Sequence, residues 1–189
     1  MRLDHAFEVP ASPDDAWAQL MDVPRVVPCM PGATLVETIN DATWKAKLQV
    51  KLGPIALTFD TDVHRTSLDV EGRQMNLAAS GREARGRGHA EGTLHSSVEP
   101  IEGGARVTMV TEVLLAGAVA QFGAGMVREV SNQLVGSFAE CLRAQLAAVS
   151  GDVGAAEAAR QAVERQAKPL SGTSLAKAAI GGLVKRRNE

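Results

Sequence analysis

The residues whose types could support chemistry lie mainly on one predicted strand. His89, Glu91 and His95 alternate along residues 86–98, so all three point to the same face of that strand. Metal–ligand bonds are about 2 Å long, but six residues of extended chain separate the two histidines by roughly 20 Å. We therefore expect solvated side chains here and predict no metal site.

The remaining candidates for catalysis are isolated residues. Asp60 and Asp62 alternate with Phe59 and Thr61, so they are interpreted as outward charges and not as a pair of acid–base groups. Cys29 could be a reactive thiol, but a packed small hydrophobic residue is the favoured interpretation. Because no Ser/His/Asp or Cys/His pattern accompanies these residues, we predict no catalytic residue.

The opposite face of the same strand carries very small side chains. Its inward positions begin with Gly86, Gly88, Ala90 and Gly92, although glycine is a poor strand residue. Glycines here could ease curvature, mark bulges, or let another backbone approach closely. They could also leave room inside the protein, and we interpret them as one wall of a cavity.

The surrounding elements are predicted from periodicity. Ser12-Pro13 begins a short helix after a first strand, and a second helical turn follows. Strands with short turns between them then predict an antiparallel meander of about seven strands. From residue 119 to residue 149 the period becomes helical, with one apolar stripe. The predicted fold class is therefore α+β, with a curved antiparallel sheet wrapped around a long C-terminal helix and two short helices after the first strand.

A chamber between this sheet and the long helix would be lined by inward strand positions and by the start of the helix. The interior contains few aromatic residues, with four Phe, two Trp and no Tyr in the chain, so Met and Leu walls could adapt to a long apolar ligand. The predicted ligand-binding residues are Leu48, Leu57, Phe59, Met75, Leu77, Gly88, Met109, Phe122, Met126 and Val130.

Composition and charge restrict the class of protein. The N-terminus shows no signal-peptide pattern, and no apolar stretch approaches the ~20 residues that a membrane-spanning helix needs. Cys29 and Cys141 are far apart in sequence and show no pairing pattern, so a reducing cytoplasm is the default expectation. No nucleic-acid partner is expected.

The C-terminal segment differs from the rest of the chain. The net charge is −2, yet residues 168–189 carry five basic side chains and one acidic one. An amphipathic pattern in residues 175–184, followed by basic residues, predicts a helix for the lipid headgroup layer. The predicted membrane-binding residues are Leu175, Lys177, Ile180, Leu183, Lys185, Arg186 and Arg187. The predicted organisation is a ligand-binding domain at residues 1–149, a flexible or helical linker at 150–172 and a basic amphipathic tail at 173–189; a disordered, solvated tail is the alternative.

Three short motifs resemble a known family. Residues 29–33 read Cys-Met-Pro-Gly-Ala, Gly-Pro-Ile at 53–55 precedes Phe59, and residues 117–123 read Gly-Ala-Val-Ala-Gln-Phe-Gly. In this order, over about residues 1–148, they resemble the carbon monoxide dehydrogenase G-subunit family. That family is part of the helix-grip superfamily of START proteins and birch-pollen allergens, whose members usually bind lipophilic ligands.

The resemblance implies a non-catalytic accessory protein with no covalent cofactor. It would link an aerobic molybdenum hydroxylase of the carbon monoxide dehydrogenase type to the cytoplasmic membrane. It would also carry a lipophilic molecule, and a respiratory quinone is the ligand that the resemblance favours. The expected localisation is the cytoplasm, in peripheral contact with the membrane. Two alternatives remain open: a ligand-free adaptor that recruits the hydroxylase through its tail, and a polyketide-cyclase-like enzyme, which would need acid–base groups inside the chamber.

Overall fold

The fold is a seven-stranded antiparallel sheet that curves around one long helix. The structure is a computed structural model that describes residues 1–52, 55–149, 157 and 161–165. The strands pair in the order β1-β7-β6-β5-β4-β3-β2, which confirms the predicted fold class. In chain order the elements are β1 (Arg2–Val9), α1 (Pro13–Met21), α2 (Val23–Val26), a 3₁₀ turn (Val27–Cys29), β2 (Ala33–Asn40), β3 (Thr43–Leu52), β4 (Ile55–Asp69), β5 (Gln74–Glu83), β6 (Gly88–Ile101), β7 (Gly104–Gly117), a second 3₁₀ turn (Ala118–Phe122) and α3 (Gly123–Val149).

Local sequence accounts for most of these elements. Ser12 caps α1 by accepting a hydrogen bond from the Asp15 backbone N–H at 3.1 Å, and Pro13 occupies the first helical position. Alternating apolar residues form β3, β4, β6 and β7, each with one face toward the helix. The edge strand β2 is not delineated by sequence periodicity, because two register irregularities interrupt its alternation.

The main core lies under the C-terminal half of α3. Phe138 meets Phe7 of β1 edge to face, with ring centroids 6.1 Å apart. Leu142 and Leu146 continue this contact surface, and Trp17 of α1 belongs to the same buried cluster. The N-terminal half of α3 packs less tightly, and the chamber described below lies beneath it.

A disulfide joins Cys29 to Cys141, which corrects the expectation of two unpaired thiols. The two residues are separated by 112 positions in sequence, and their Cα atoms lie 5.4 Å apart. The bond attaches the first 3₁₀ turn to the last third of α3, and both cysteines are fully buried. The fold brings together two residues that sequence spacing could not pair, so the cysteine content no longer argues for a reducing compartment.

Part of the predicted linker packs against the domain. Residues 161–165 are helical, and Ala162 is only 4% exposed within the main core cluster, with Val163 packed against that cluster. The predicted tail, residues 173–189, lies outside the described residues, and so do its seven predicted membrane-binding side chains.

Candidate functional site

An apolar chamber lies between the concave face of the sheet and the first half of α3. Its first lobe has a volume of about 430 Å³. The helix supplies five residues to this lobe, namely Val127, Val130, Ser131, Leu134 and Val135. Inward side chains of the sheet, mainly from β3 to β7, form the opposite wall, so the lobe lies between the sheet and the helix.

A second lobe extends the chamber beneath α1 and α2. Its volume is about 260 Å³, and Leu20, Trp44 and Phe138 are among the residues around it. Seven residues line both lobes, namely Met30, Leu48, Thr61, Val63, Leu77, Leu94 and Met109. Because these residues are shared, the two lobes lie next to each other and are treated as one chamber.

Eight of the ten predicted ligand-binding residues lie on this chamber. The first lobe is lined by Leu48, Leu57, Phe59, Leu77, Met109, Phe122 and Val130, and Met75 lines the second lobe. The structure therefore brings these side chains around one apolar chamber. Their role in binding a ligand stays a prediction.

Met126 does not line the chamber. It is 44% exposed, and Val127 lines the first lobe in its place. At about 100° per residue, Met126 lies roughly 120° around the helix from Phe138, whereas Val127 lies only about 20° away. Residues spaced by four are rotated by about 40° at each step around a helix. Over the several steps from Phe138 back to Met126 this rotation moves the predicted apolar positions away from the chamber, so Met126 in the first turn of α3 does not face it.

Gly88 also lies outside both lobes, and its role is a close backbone approach. It has a φ of +140°, and a Cβ atom there would overlap the backbone oxygen of Ala116 and come within 2.9 Å of Val119 Cγ2. This was one of the alternatives to a cavity. Gly92 does line the first lobe, where it pairs with Ala79 on one side and Val113 on the other. A Cβ atom at Gly92 would lie 3.1 Å from the backbone oxygen of Glu112. The glycines of this strand therefore accompany close backbone approaches, at Gly88 and also at Gly92, where the strand lines the lobe.

Ser96 is a site residue that the sequence prediction missed, although it lies on the predicted inward face of β6. Its side chain is almost fully buried, at 1% exposure, and it lines the second lobe. Among the described residues, its Oγ has no hydrogen-bond partner. The available signal was a hydroxyl residue at an inward position between Leu94 and Val98.

An ion pair between the buried Glu83 and the partly exposed Arg87 stabilises the hairpin between β5 and β6. Glu83 accepts a hydrogen bond from Arg87 Nη2 at 2.9 Å and two more from the backbone N–H groups of Arg85 and Arg87. The Arg87 hydrogen bond is the main reason that the pKa of Glu83 falls to about 2, against the opposing effect of desolvation. Arg87 also donates to the backbone oxygen of Ala56 at 2.7 Å. All of these contacts join neighbouring backbone segments, so the pair has a structural role.

The outer face of the sheet carries a further depression of about 700 Å³, which shares Ala79, Glu91, Gly92, Thr93 and Val113 with the first lobe across the sheet. The residues that line it include Arg2, His64, Glu91 and Glu112.

His95 is hydrogen-bonded to Asn76 at 3.0 Å. Within the described ranges, no three His, Cys, Asp or Glu side chains cluster closely enough to hold a metal ion. No helix in that part of the chain is long and apolar enough to cross a bilayer.

The sequence of residues 6–147 matches the family described as the G subunit of carbon monoxide dehydrogenase (CoxG). The match extends from within β1 almost to the end of α3 and covers well over half of the chain. The chain belongs to this family. The resemblance that the three motifs indicated is thereby confirmed. A comparison with curated proteins gives no match.

Solved structures with the same fold are distant in sequence from this CoxG-family chain. A conserved protein from Geobacillus kaustophilus superposes with a TM-score of 0.70 at 21% identity, covering 78% of this chain and 95% of that one. Protein Ms6760 from Mycobacterium smegmatis gives 0.56 at 18% identity, covering 78% and 92%. Ara h 8.0201 gives 0.55 at 12% identity, covering 78% and 98%. At these identities the comparisons establish the helix-grip fold alone.

Proposed function

We propose that this protein is a non-catalytic binding subunit that holds a lipophilic molecule, a respiratory quinone, in the chamber under α3. In this role it links a molybdenum hydroxylase of the carbon monoxide dehydrogenase type to the cytoplasmic membrane and its electron-transport chain. The observation that carries the proposal is a two-lobed apolar chamber between sheet and helix in a chain of the CoxG family.

The dimensions and walls of the chamber support a lipophilic ligand. Pockets for small molecules have volumes of roughly 300–1,000 Å³, and the first lobe alone has about 430 Å³. Met30 and Met109 line both lobes, and Met75 lines the second. Thioether side chains adapt to irregular shapes, which suits a flat ring attached to a branched chain.

The chamber is poorly equipped for acid–base catalysis. Among the described residues that line its two lobes, the ionisable ones are Glu91, Lys47 and Arg65. Glu91 is exposed, and Lys47 forms an ion pair with Asp60 at 3.2 Å. Arg65 lies over the ring of Trp44, 5.8 Å from its centroid. A cyclase would need a general acid or base next to its substrate, so binding is the better-supported function.

The link to the membrane rests on the sequence of the C-terminal tail. The tail has a predicted apolar face that includes Ile180 and Leu183, and it carries the basic residues Lys177, Lys185, Arg186 and Arg187. Each basic residue near an anionic leaflet contributes about 1 kcal/mol. We expect weak, reversible binding of the tail to the lipid surface, which would bring the chamber close to the quinone pool.

Two experiments test the proposal. The protein is purified from a quinone-producing host and extracted with organic solvent, and mass spectrometry identifies what was bound. A stoichiometric quinone is the expected result, whereas an empty chamber in protein that also fails to take up added quinone would refute the carrier function.

Sedimentation with anionic liposomes tests the tail. The full chain should sediment with vesicles that contain phosphatidylglycerol, and a variant that lacks residues 168–189 should remain in solution. If the full chain recruits the hydroxylase to these vesicles while its chamber stays empty, the ligand-free adaptor is the correct description.

A further inference from the structure

Two hydroxyl side chains line the second lobe, Thr61 and Ser96; Thr61 is partly exposed, whereas Ser96 is buried. Ser96 is 1% exposed, and no described residue supplies a hydrogen-bond partner to its Oγ. Buried hydroxyl groups almost always have a partner, because burial without one is unfavourable. The residue lines a cavity, so a partner could be supplied from that cavity.

The neighbours of Ser96 on the sheet do not supply one. Ser96 pairs with Met75 on β5 and with Met109 on β7, and both methionines line the same lobe. Phe138 of α3 and Leu20 of α1 also line it. A thioether sulfur is a weak acceptor and the other side chains have no polar atoms. Among these described neighbours, the hydroxyl is therefore the single strongly polar side-chain group.

The charged residues of this lobe lie elsewhere. Arg65 is on β4, two strands away from Ser96 on β6, which places their Cα atoms roughly 10 Å or more apart. Lys47 is on β3, another strand away, and is paired with Asp60. A ligand group beside Ser96 would meet a hydroxyl and apolar side chains. This environment favours a neutral carbonyl oxygen over a carboxylate.

We propose that Ser96 is the polar anchor of the bound molecule. Its Oγ–H donates a hydrogen bond to a ring carbonyl oxygen held in the second lobe, and the hydrocarbon chain of the ligand extends into the first lobe. This inference rests on the proposed function and adds to it the orientation of the ligand and the atom that selects a carbonyl-bearing ring.

The test compares two probes that differ in their carbonyl groups. Menadione has a methylnaphthalene ring with two carbonyls, and 2-methylnaphthalene lacks both. By isothermal titration calorimetry, Ser96→Ala should weaken menadione binding about 3- to 10-fold and leave the binding of 2-methylnaphthalene unchanged. The control is Ser97→Ala, the same substitution one position along and on the other face of β6, which should bind both probes like the wild type.

Two further outcomes would overturn the inference. Equal menadione affinity in Ser96→Ala and the wild type would mean that the hydroxyl serves only water. A lower thermal midpoint for Ser96→Ala without a probe would mean that the hydroxyl stabilises the fold itself; the expected midpoint is equal to or above that of the wild type, because removing an unpaired buried hydroxyl costs nothing. If the wild type binds neither probe, the proposed function fails together with the inference.

The orientation has its own test at Ala79, which lines the first lobe but not the second. Ala79→Leu should weaken binding of menaquinone-1, which carries one isoprenyl unit, while menadione binds as before. Ala78→Leu is the matched control, since Ala78 is the neighbouring residue on β5 and lines neither lobe. Equal losses for the two quinones in Ala79→Leu would place the ring in the first lobe and refute the proposed orientation.

Discussion

The disulfide between Cys29 and Cys141 leads to a quantitative prediction about stability. It closes a loop with a sequence separation of 112 residues, and closing a loop of this length lowers the entropy of the unfolded chain. The chain-entropy relation gives about 5 kcal/mol for such a loop. Because engineered and natural bonds often deliver less than this, we expect the double variant Cys29→Ala/Cys141→Ala to lose about 2–5 kcal/mol of unfolding free energy.

The loss should be visible in both thermal and chemical denaturation. For a domain of this size, 1 kcal/mol corresponds to about 2–4 °C in the melting midpoint, so a loss of about 2–5 kcal/mol should lower the midpoint of the double variant by about 4–20 °C. The described part of the protein contains no free cysteine. Thiol titration of the denatured wild type should accordingly find no thiol before reduction and two after it.

The single variants provide the decisive control. Either Cys29→Ala or Cys141→Ala removes the whole cross-link, so each single variant should lose nearly as much stability as the double variant. If the cysteines were merely packed side chains, each single variant would lose only part of what the double variant loses, and neighbouring residues would contribute a coupling energy of a few tenths to a few kcal/mol. Additive losses, or two titratable thiols in the unreduced protein, would refute the assignment of the bond.

Three further predictions concern the hairpin, the roof of the chamber and the first helix. The pKa of Glu83 is lowered from 4.5 to about 2, so the stability that its ionised form contributes should be complete above pH 4.5 and disappear as the pH falls toward 2. Glu83→Gln should flatten this part of a curve of unfolding free energy against pH. An unchanged curve would contradict the ion pair. Val127→Trp should weaken quinone binding by narrowing the first lobe, which Val127 lines, whereas Met126→Trp should leave it unchanged. The reverse result in a binding titration would show that the helix has the other register. Ser12→Ala should cost about 1 kcal/mol in urea denaturation, because it removes the acceptor for the Asp15 N–H; no loss would mean that the cap is dispensable.

Much of the fold could be predicted because its signals are local. Alternation along β3, β4, β6 and β7 assigned each residue to a face, and a change to helical period identified the last helix. These patterns reflect side-chain directions that repeat every two or 3.6 residues. The edge strand β2 could not be delineated in this way, because its register shifts between Leu35 and Glu37 and between Thr38 and Asn40 interrupt the two-residue repeat.

The site was predicted in outline but not in detail. Inward positions such as Leu48, Phe59 and Met109 followed directly from strand alternation. The position of Met126 depended on the accumulated rotation of α3, which a stripe of similar spacings does not define. Strand alternation assigned Ser96 to the inward face of β6. Only the burial of its hydroxyl group without a hydrogen-bond partner among the described residues distinguishes it from an ordinary small core residue.

By itself, the sequence determined the class of fold, the family, the inward faces of the strands and the apolar character of whatever lies between sheet and helix. Those properties depend on residue type and on spacing along one element. The tertiary structure decided that Cys29 and Cys141 form a bond, that Gly88 serves a close approach, and that Ser96 is left unpaired among the described residues on the floor of the second lobe. Each of these depends on distances between elements far apart in the chain, and such distances are set only when the sheet curves and α3 packs against it.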